Sequence, residues 1–196
     1  MARLLYQGHG SFRIISKDNK VIYFDPYAGA GYDVPADIIL VTHQHGDHNQ
    51  INLVEKKHDC TILQERDALK EGEYQNFEIK GIQIQAVPAY NKNHSRAESV
   101  GYIITVDDIM VYGTGDTSIT EEMKELAALS LDYVLLPTDG IYNMGPEEAA
   151  ICAELLEAKV AIPIHMKPGE LFSIEMAERF TAKNKKIVRA GEEIIL

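Results

Sequence analysis

The sequence predicts an α/β fold: an αββα sandwich of two mixed β-sheets flanked by helices. Three observations predict it. Short strands joined by turn-prone residues open the chain and recur in its middle. Near-continuous apolar runs, Ile38 to Val41 and the body of Asp132 to Leu136, read as strands buried on both faces. Segments with helix-start signals follow these runs, which places helices outside two packed sheets.

Taken in order, Arg3 to Tyr6, Ser11 to Ile15 and Val21 to Phe24 are strands, the last two joined by Lys17-Asp18-Asn19. Phe24-Asp25-Pro26 leaves the sheet for a Gly-rich loop, Ala28 to Tyr32. After Ile38 to Val41, a short helix is expected over Ile51 to Lys57 and a strand over Thr61 to Leu63. Phe77 to Lys80, Ile82 to Val87, Val100 to Val106 and Ile109 to Tyr112 are hairpin strands, turning at Gly81 and Asp107-Asp108. Ser118-Ile119-Thr120-Glu121 reads as a capping box ahead of Met123 and Leu126.

Gly145-Pro146-Glu147-Glu148 starts the next helix, with Pro at its first position and acids in its first turn. Ile151, Leu155 and Ala158 share a face at helical spacing. Val160 to Ile164 is a strand ending at His165. Ser173 caps a last helix whose stripe is Ile174, Ala177 and Phe180. Ile187 to Val188 and Ile194 to Leu196 close the chain. Asp37 to Thr42 resembles Asp132 to Thr138, a hint of two related halves.

A chain of 196 residues fits one domain, read here as spanning 1–196. The net charge of −11 disfavours nucleic acid, whose binders gather Lys and Arg on one face. No run approaches the roughly 20 apolar residues of a membrane span. The opening MARLLYQGHG carries no signal-peptide pattern, so cytoplasm is the expected compartment. Cys60 and Cys152 stand singly in apolar segments and are expected as buried, reduced thiols. Nothing indicates an oligomeric state.

Chemistry concentrates in Thr42-His43-Gln44-His45-Gly46-Asp47-His48, which holds three of the seven histidines. In extended backbone alternate side chains point the same way, so His43 and His45 can converge on one point. Gly46 permits a turn that lets Asp47 and His48 face a second point. Imidazole with carboxylate suits zinc, iron or manganese. A helix-capping loop is a poor alternative, because several buried rings would each need a partner.

This string resembles the HxHxDH signature of the metallo-β-lactamase superfamily. Ala89-Tyr90-Asn91 with His94 and Val100-Gly101-Tyr102 is similar to its third ligand region in a small branch of metal-dependent hydrolases. That branch includes ascorbate-6-phosphate lactonase and relatives of N-acyl-phosphatidylethanolamine phospholipase D. Gly115-Asp116-Thr117 resembles the bridging-aspartate motif, and Ile162-Pro163-Ile164-His165 the last ligand motif. Gly8-His9-Gly10-Ser11, Phe24-Asp25-Pro26 and Pro137 to Ala150 match further segments, so the resemblance spans residues 4 to 168.

The resemblance implies one metal held by His43, His45 and His94 and another by Asp47, His48 and His165, with Asp116 bridging. Asp25 would orient the histidine loop, as ligating imidazoles need an acceptor for their other N–H. His9 reads equally as a wall of the site or a core histidine, and His58 reads as surface. Two divalent ions, zinc first with manganese or iron as alternatives, would ready a hydroxide for attack on a small-molecule ester, lactone or phosphodiester. Asp47 would carry the proton. A nuclease resembling ribonuclease Z and a non-hydrolytic metal-binding protein are the other readings.

Pocket walls are expected from Tyr27 to Asp33, Tyr90 to Glu98, Asp139 to Met144 and Lys167 to Phe172. Tyr32, Tyr142, Asn143 and Lys167 are readable as substrate contacts or as packing and solvated loop residues.

Overall fold

The computed structural model describes all 196 residues, Met1–Leu196. Strands β1 (Arg3–Gly8), β2 (Ser11–Ile15) and β3 (Val21–Phe24) pair antiparallel in succession. β4 (Ala36–Leu40) and β5 (Lys56–Leu63) then add in parallel to β3. A short helix α1 (Glu65–Ala68) and a two-residue hairpin, β6 (Leu69–Lys70) with β7 (Glu73–Tyr74), lead away. The second sheet is built from β8 (Asn76–Ile79), β9 (Ile82–Pro88), β10 (Val100–Val106) and β11 (Ile109–Gly113), all antiparallel.

After helix α2 (Met123–Leu126), β12 (Tyr133–Pro137) joins β11 in parallel. Helix α3 (Pro146–Leu156) crosses over to β13 (Val160–Ile164), again parallel. Helix α4 (Ile174–Arg179) precedes β14 (Glu193–Ile195), which returns to the free edge of β1. The sheets therefore run β14-β1-β2-β3-β4-β5 and β13-β12-β11-β10-β9-β8.

The inward faces of both sheets make one core, with Leu4, Phe12, Ile22, Phe24 and Leu40 facing Ile84, Tyr102, Ile104, Leu135 and Ile162. Phe12 and Phe24 stack at 4.4 Å, and the Tyr102 hydroxyl donates across the layers to the Val41 carbonyl. A second cluster lies between the outer face of the second sheet and α2, α3 and α4. The outer face of the first sheet is covered differently: Tyr32, Val34, Ile51 and Val54 pack on Tyr23, Ile39 and Val41, with loops in place of a long helix. No helix is long and apolar enough to cross a membrane.

The resemblance between Asp37 and Asp132 has a local counterpart. Asp37 accepts the Val21 N–H at 2.9 Å and the Lys57 ammonium at 2.6 Å. Asp132 accepts the Met110 N–H at 2.8 Å and the Lys159 ammonium at 2.7 Å. Each aspartate starts the middle strand of a parallel trio and ties its neighbours together.

Several local expectations are corrected. Ile51 to Lys57 is not a helix; only Ile51–Leu53 makes a single 3-10 turn, and Lys56–Leu63 is β5. Strand β4 needs a partner on its far side, and that long-range pairing outweighs the local preference. Ser118 does not open a helix either. Its N–H bonds to the Tyr90 carbonyl, Thr117 bonds Tyr90 through its hydroxyl, and α2 starts later at Met123.

On α3 the buried face is Ala149, Cys152, Ala153 and Leu156, while Ile151 is 61% exposed. Small side chains let the helix approach the sheet closely, so the bulky Ile151 turns outward. On α4, Ala177 and Phe180 are buried but Ile174 is exposed. Ile187 to Val188 forms no strand; the chain touches β13 by one bridge, Ala161 with Lys185. Both thiols are free, and Cys152 is buried, but Cys60 on edge strand β5 is only half-buried.

Candidate metal centre

Both parallel trios end at the same rim of the sandwich. Open α/β sheets collect ligands beyond the carboxyl ends of their strands, where loops and free backbone groups meet. Here Asp25 follows β3, His43 follows β4, Asp116 follows β11, Asp139 follows β12 and His165 follows β13. Three non-glycine residues of this rim sit in the left-handed region: His9 at φ 56°, Asp25 at 43° and His165 at 42°. Each such residue costs about 1 kcal/mol or more and persists only where neighbours impose it. The His165 N–H donates to the His9 carbonyl at 2.8 Å, and the Asp25 N–H to the Leu40 carbonyl at 2.9 Å.

Two glycines serve close approach. A β-carbon at Gly10 would lie 2.9 Å from Cε1 of His48. Gly115 has φ +63°, and a β-carbon there would press on Thr42 at 3.0 Å. The main chain thus passes directly behind the histidine loop at both points.

All seven donors singled out in the sequence come together. Donor atoms of His43, His45 and His94 lie within 4.8 Å of one another, as do those of His9, Asp47, His48 and His165. Asp116 lies between the two sets: Oδ1 is 3.3 Å from His48 Nε2, while Oδ2 is 3.3 Å from His94 Nε2 and 3.5 Å from His165 Nε2. Asp47 Oδ2 lies 3.9 Å from His48 Nε2 and 3.7 Å from His165 Nε2.

Four of the five imidazoles have a polar group behind them, and His45 has none. His48 Nδ1 faces Asp25 Oδ2 at 2.8 Å, and Asp25 also accepts the Thr42 N–H and hydroxyl, each at 2.7 Å. Because the Thr42 hydroxyl donates to Asp25, it is free to accept from His43 Nδ1 at 2.9 Å, which leaves His43 Nε2 without a proton and facing His45 Nδ1 at 3.0 Å. His94 Nδ1 faces Asn91 Oδ1 at 3.0 Å, and His165 Nδ1 lies 3.0 Å from Asp139 Oδ2. Asn91 Nδ2 donates to Asn143 Oδ1 at 3.1 Å, and Asn143 Nδ2 donates to Asp139 Oδ2 at 2.8 Å. A chain of polar contacts therefore runs from His94 to His165 behind the cage.

The donor set fits a divalent cation. His48 Nε2 and both ring nitrogens of His165 are buried with no aligned hydrogen-bond partner, although His165 Nδ1 lies beside the Asp139 carboxylate. The two Nε2 atoms lie 3.3–3.9 Å from the Asp47 and Asp116 carboxylates, too far for strong hydrogen bonds. Orphaned buried polar atoms are rare and costly, and nitrogens and oxygens aimed at a shared point are what an ion satisfies.

Charge tells the same story. Burial disfavours charge on His165, yet Asp116 and the contacts with Asp139 and Asp47 raise it to about 9. Burial likewise opposes charge on His48, and Asp116 and Asp25 overcome it, lifting His48 well above the usual imidazole range. Burial lowers His43 to about 2, which keeps its lone pair available. Burial pushes the Asp116 carboxyl up, but His48 and His165 hold it well below the usual range. The enclosed carboxylates demand positive charge, and protons supply it where no ion does.

The sequence reading missed Asp139 as a support and left His9 open. Asp139 follows its strand as Asp25 follows β3, which was the available signal. His9 is 1% exposed, and its Nε2 meets Asp47 Oδ2 at 3.0 Å. Of the suggested substrate contacts, Tyr32 instead stacks on Tyr23 at 5.7 Å and its hydroxyl accepts the Tyr27 N–H. Asn143 is buried in the polar chain, Lys167 pairs with Glu170 on the surface, and Tyr142 is exposed. His58 is exposed, as expected.

Residues 3–165 match the family described as a β-lactamase superfamily domain. The chain belongs to the metallo-β-lactamase superfamily. It is 31% identical to a UPF0173 metal-dependent hydrolase from Thermococcus onnurineus over all of this chain and 96% of that one. A crystal structure of a metal-dependent hydrolase from Parabacteroides distasonis superposes with a TM-score of 0.75 at 31% identity, covering 93% of this chain and 90% of that one. Igni18, a metallo hydrolase from Ignicoccus hospitalis, shares the fold with a TM-score of 0.76 at 22% identity, over 98% and 97% of the two chains. The chain is thus a metal-dependent hydrolase of this superfamily, with a histidine–aspartate cluster able to bind metal.

Proposed function

We propose that residues 1–196 form a single hydrolase domain that works with two divalent cations, zinc first, on a small-molecule ester, lactone or phosphodiester. One ion is assigned to His43, His45 and His94, the other to Asp47, His48 and His165, and Asp116 is shared. The observation that carries this reading is the unpartnered, buried Nε2 of His48 and of His165 facing Asp116 and Asp47. Such ions, when bound, supply Lewis acidity and lower the pKa of water from near 16 toward neutrality.

The chain's own residues do the rest. Asp25, Thr42, Asn91 and Asp139 fix ring orientation, so the donor nitrogens are set before substrate arrives. Asp47 handles the proton. Its side chain is 37% exposed, whereas those of Asp25 and Asp116 are 0% and 5%. Burial raises Asp47, but His165 and His9 outweigh it and hold the carboxyl below the usual range; Oδ2 faces the rings, which leaves Oδ1 as the oxygen able to take a proton. The unpaired Cys60 and Cys152 support a reducing, cytoplasmic setting.

The test is metal analysis of reconstituted protein together with a screen of esters, lactones and phosphodiesters. Two equivalents and chelator-sensitive turnover are expected. Well under one equivalent after careful loading would overturn the reading.

A further inference from the structure

The histidines of the outer set form the floor of a cleft of about 270 Å³, below the roughly 300–1,000 Å³ of ordinary ligand pockets. A larger hollow of about 790 Å³ lies beside it, lined by Tyr90, Asn143 and Arg179 among others, and reaches no histidine. Of the two, the smaller cleft is the one that reaches donor histidines. Its walls are Gln44, Glu65, Asn93, Ser95, Glu98 and Ser99, with no apolar side chain among them.

Two independent features say what these walls accept. The charged side chains are both carboxylates, and no Lys or Arg lines the cleft. Of the three cations adjacent in sequence to wall residues, Arg66 and Lys92 do not line the cleft, and Arg96 is already engaged: it pairs with Glu122 at 2.5 Å and lies over the Tyr90 ring at 5.1 Å. Glu65 is held by the Gln44 amide at 2.6 Å, a neutral donor that leaves its charge in place. Separately, Ser99 is 1% exposed and its Oγ has no hydrogen-bond partner. A buried hydroxyl without a partner is costly, and a polar group of a ligand would satisfy it.

We propose that this cleft binds the non-reacting end of a small, positively charged substrate: an ester or lactone bearing an ammonium or guanidinium group. Glu65 and Glu98 are then the specificity-determining carboxylates, and Ser99 Oγ completes the polar wall. An acyl chain would gain little, since no apolar surface awaits it. A second phosphate would face two carboxylates and be repelled. The proposal rests on the hydrolase reading above and adds the substrate's charge.

Three matched esters test it: meta-(aminomethyl)phenyl, meta-ethylphenyl and meta-(carboxymethyl)phenyl acetate, which place an ammonium, a methyl or a carboxylate at one position. With metal-loaded protein, kcat/KM should fall in that order, the first step being on the order of tenfold. Glu65→Gln combined with Glu98→Gln should bring the ammonium-to-ethyl ratio close to unity, with bound metal measured alongside. A ratio at or below unity in the unaltered protein, or one the double variant leaves unchanged, overturns the proposal.

If no ester is cleaved, the ester-hydrolase reading fails and binding decides the present point. In NMR titrations of the metal-loaded protein, meta-(aminomethyl)phenol should bind more tightly than meta-ethylphenol, and the double variant should lose that preference. Equal or reversed binding overturns the proposal.

Discussion

The two halves of the cage are built on different principles. The inner half, His48 and His165 with Asp47 and His9, is backed by carboxylates: Asp25 behind one ring and Asp139 behind the other. The outer half, His43, His45 and His94, is backed by neutral groups, the Thr42 hydroxyl and the Asn91 amide. His48 and His165 are almost wholly buried, while His45 is exposed and opens on the cleft. Negative charge behind an imidazole raises its basicity as a ligand. The difference teaches that, on the proposed assignment, the inner ion is held by charge and the outer ion by geometry, beside the substrate.

The largest effect should come from the residue both halves share. Asp116→Ala removes the carboxylate between them, and activity should fall more than a hundredfold, beyond the roughly 10–100-fold cost of losing a supporting group. Metal content should drop by at least one equivalent; two equivalents retained at parental affinity would sink the shared role. Next, Asp139→Asn keeps shape but removes charge behind His165. Calorimetric titration should show the tighter of two binding steps weakened by about 10–100-fold.

Asn91→Ala frees His94 Nδ1, and the weaker step alone should lose about tenfold. Equal weakening of both steps would instead mean that the contacts through Asn143 make the halves one unit, and the comparison would break.

The smallest effect separates scaffold from cage. Burial raises Asp37, but bonds from Lys57, the Val21 N–H and Lys80 outweigh it and bring the carboxyl to about 2. A carboxyl depressed by folding contributes stability above its unfolded pKa near 3.9 and loses it as pH falls through the folded value. Unfolding titrations should therefore show about 2 kcal/mol lost between pH 4 and pH 2. Asp37→Asn should remove that share of the acid-side loss without changing metal stoichiometry; an unchanged slope would show that the loss arises wholly at other carboxylates.

The cluster His43, His45, Asp47 and His48 stood out because its signal is local, whereas His94, Asp116 and His165 entered only through the family resemblance. Three histidines and an aspartate packed after an apolar strand leave few alternatives, and alternation along a strand sets which rings converge. Strands β2, β3, β10 and β13 were legible for the same reason, since their patterns repeat within a few residues. The helix expected at Ile51 to Lys57 and the buried stripe expected on α3 were not, because each was decided by a partner distant in the chain.

By itself the sequence determined the two-sheet α/β class and the acidic character of the chain, and it pointed to seven side chains that the fold gathers at one rim. Only the tertiary structure decided that Asp139 backs His165, that Asn91 and Asn143 link His94 to it, and that Glu65 and Glu98 line one cleft. The physical reason is range. Residue type and strand period act between neighbours, whereas the orientation and charge of a buried ring depend on groups brought together only when both sheets close.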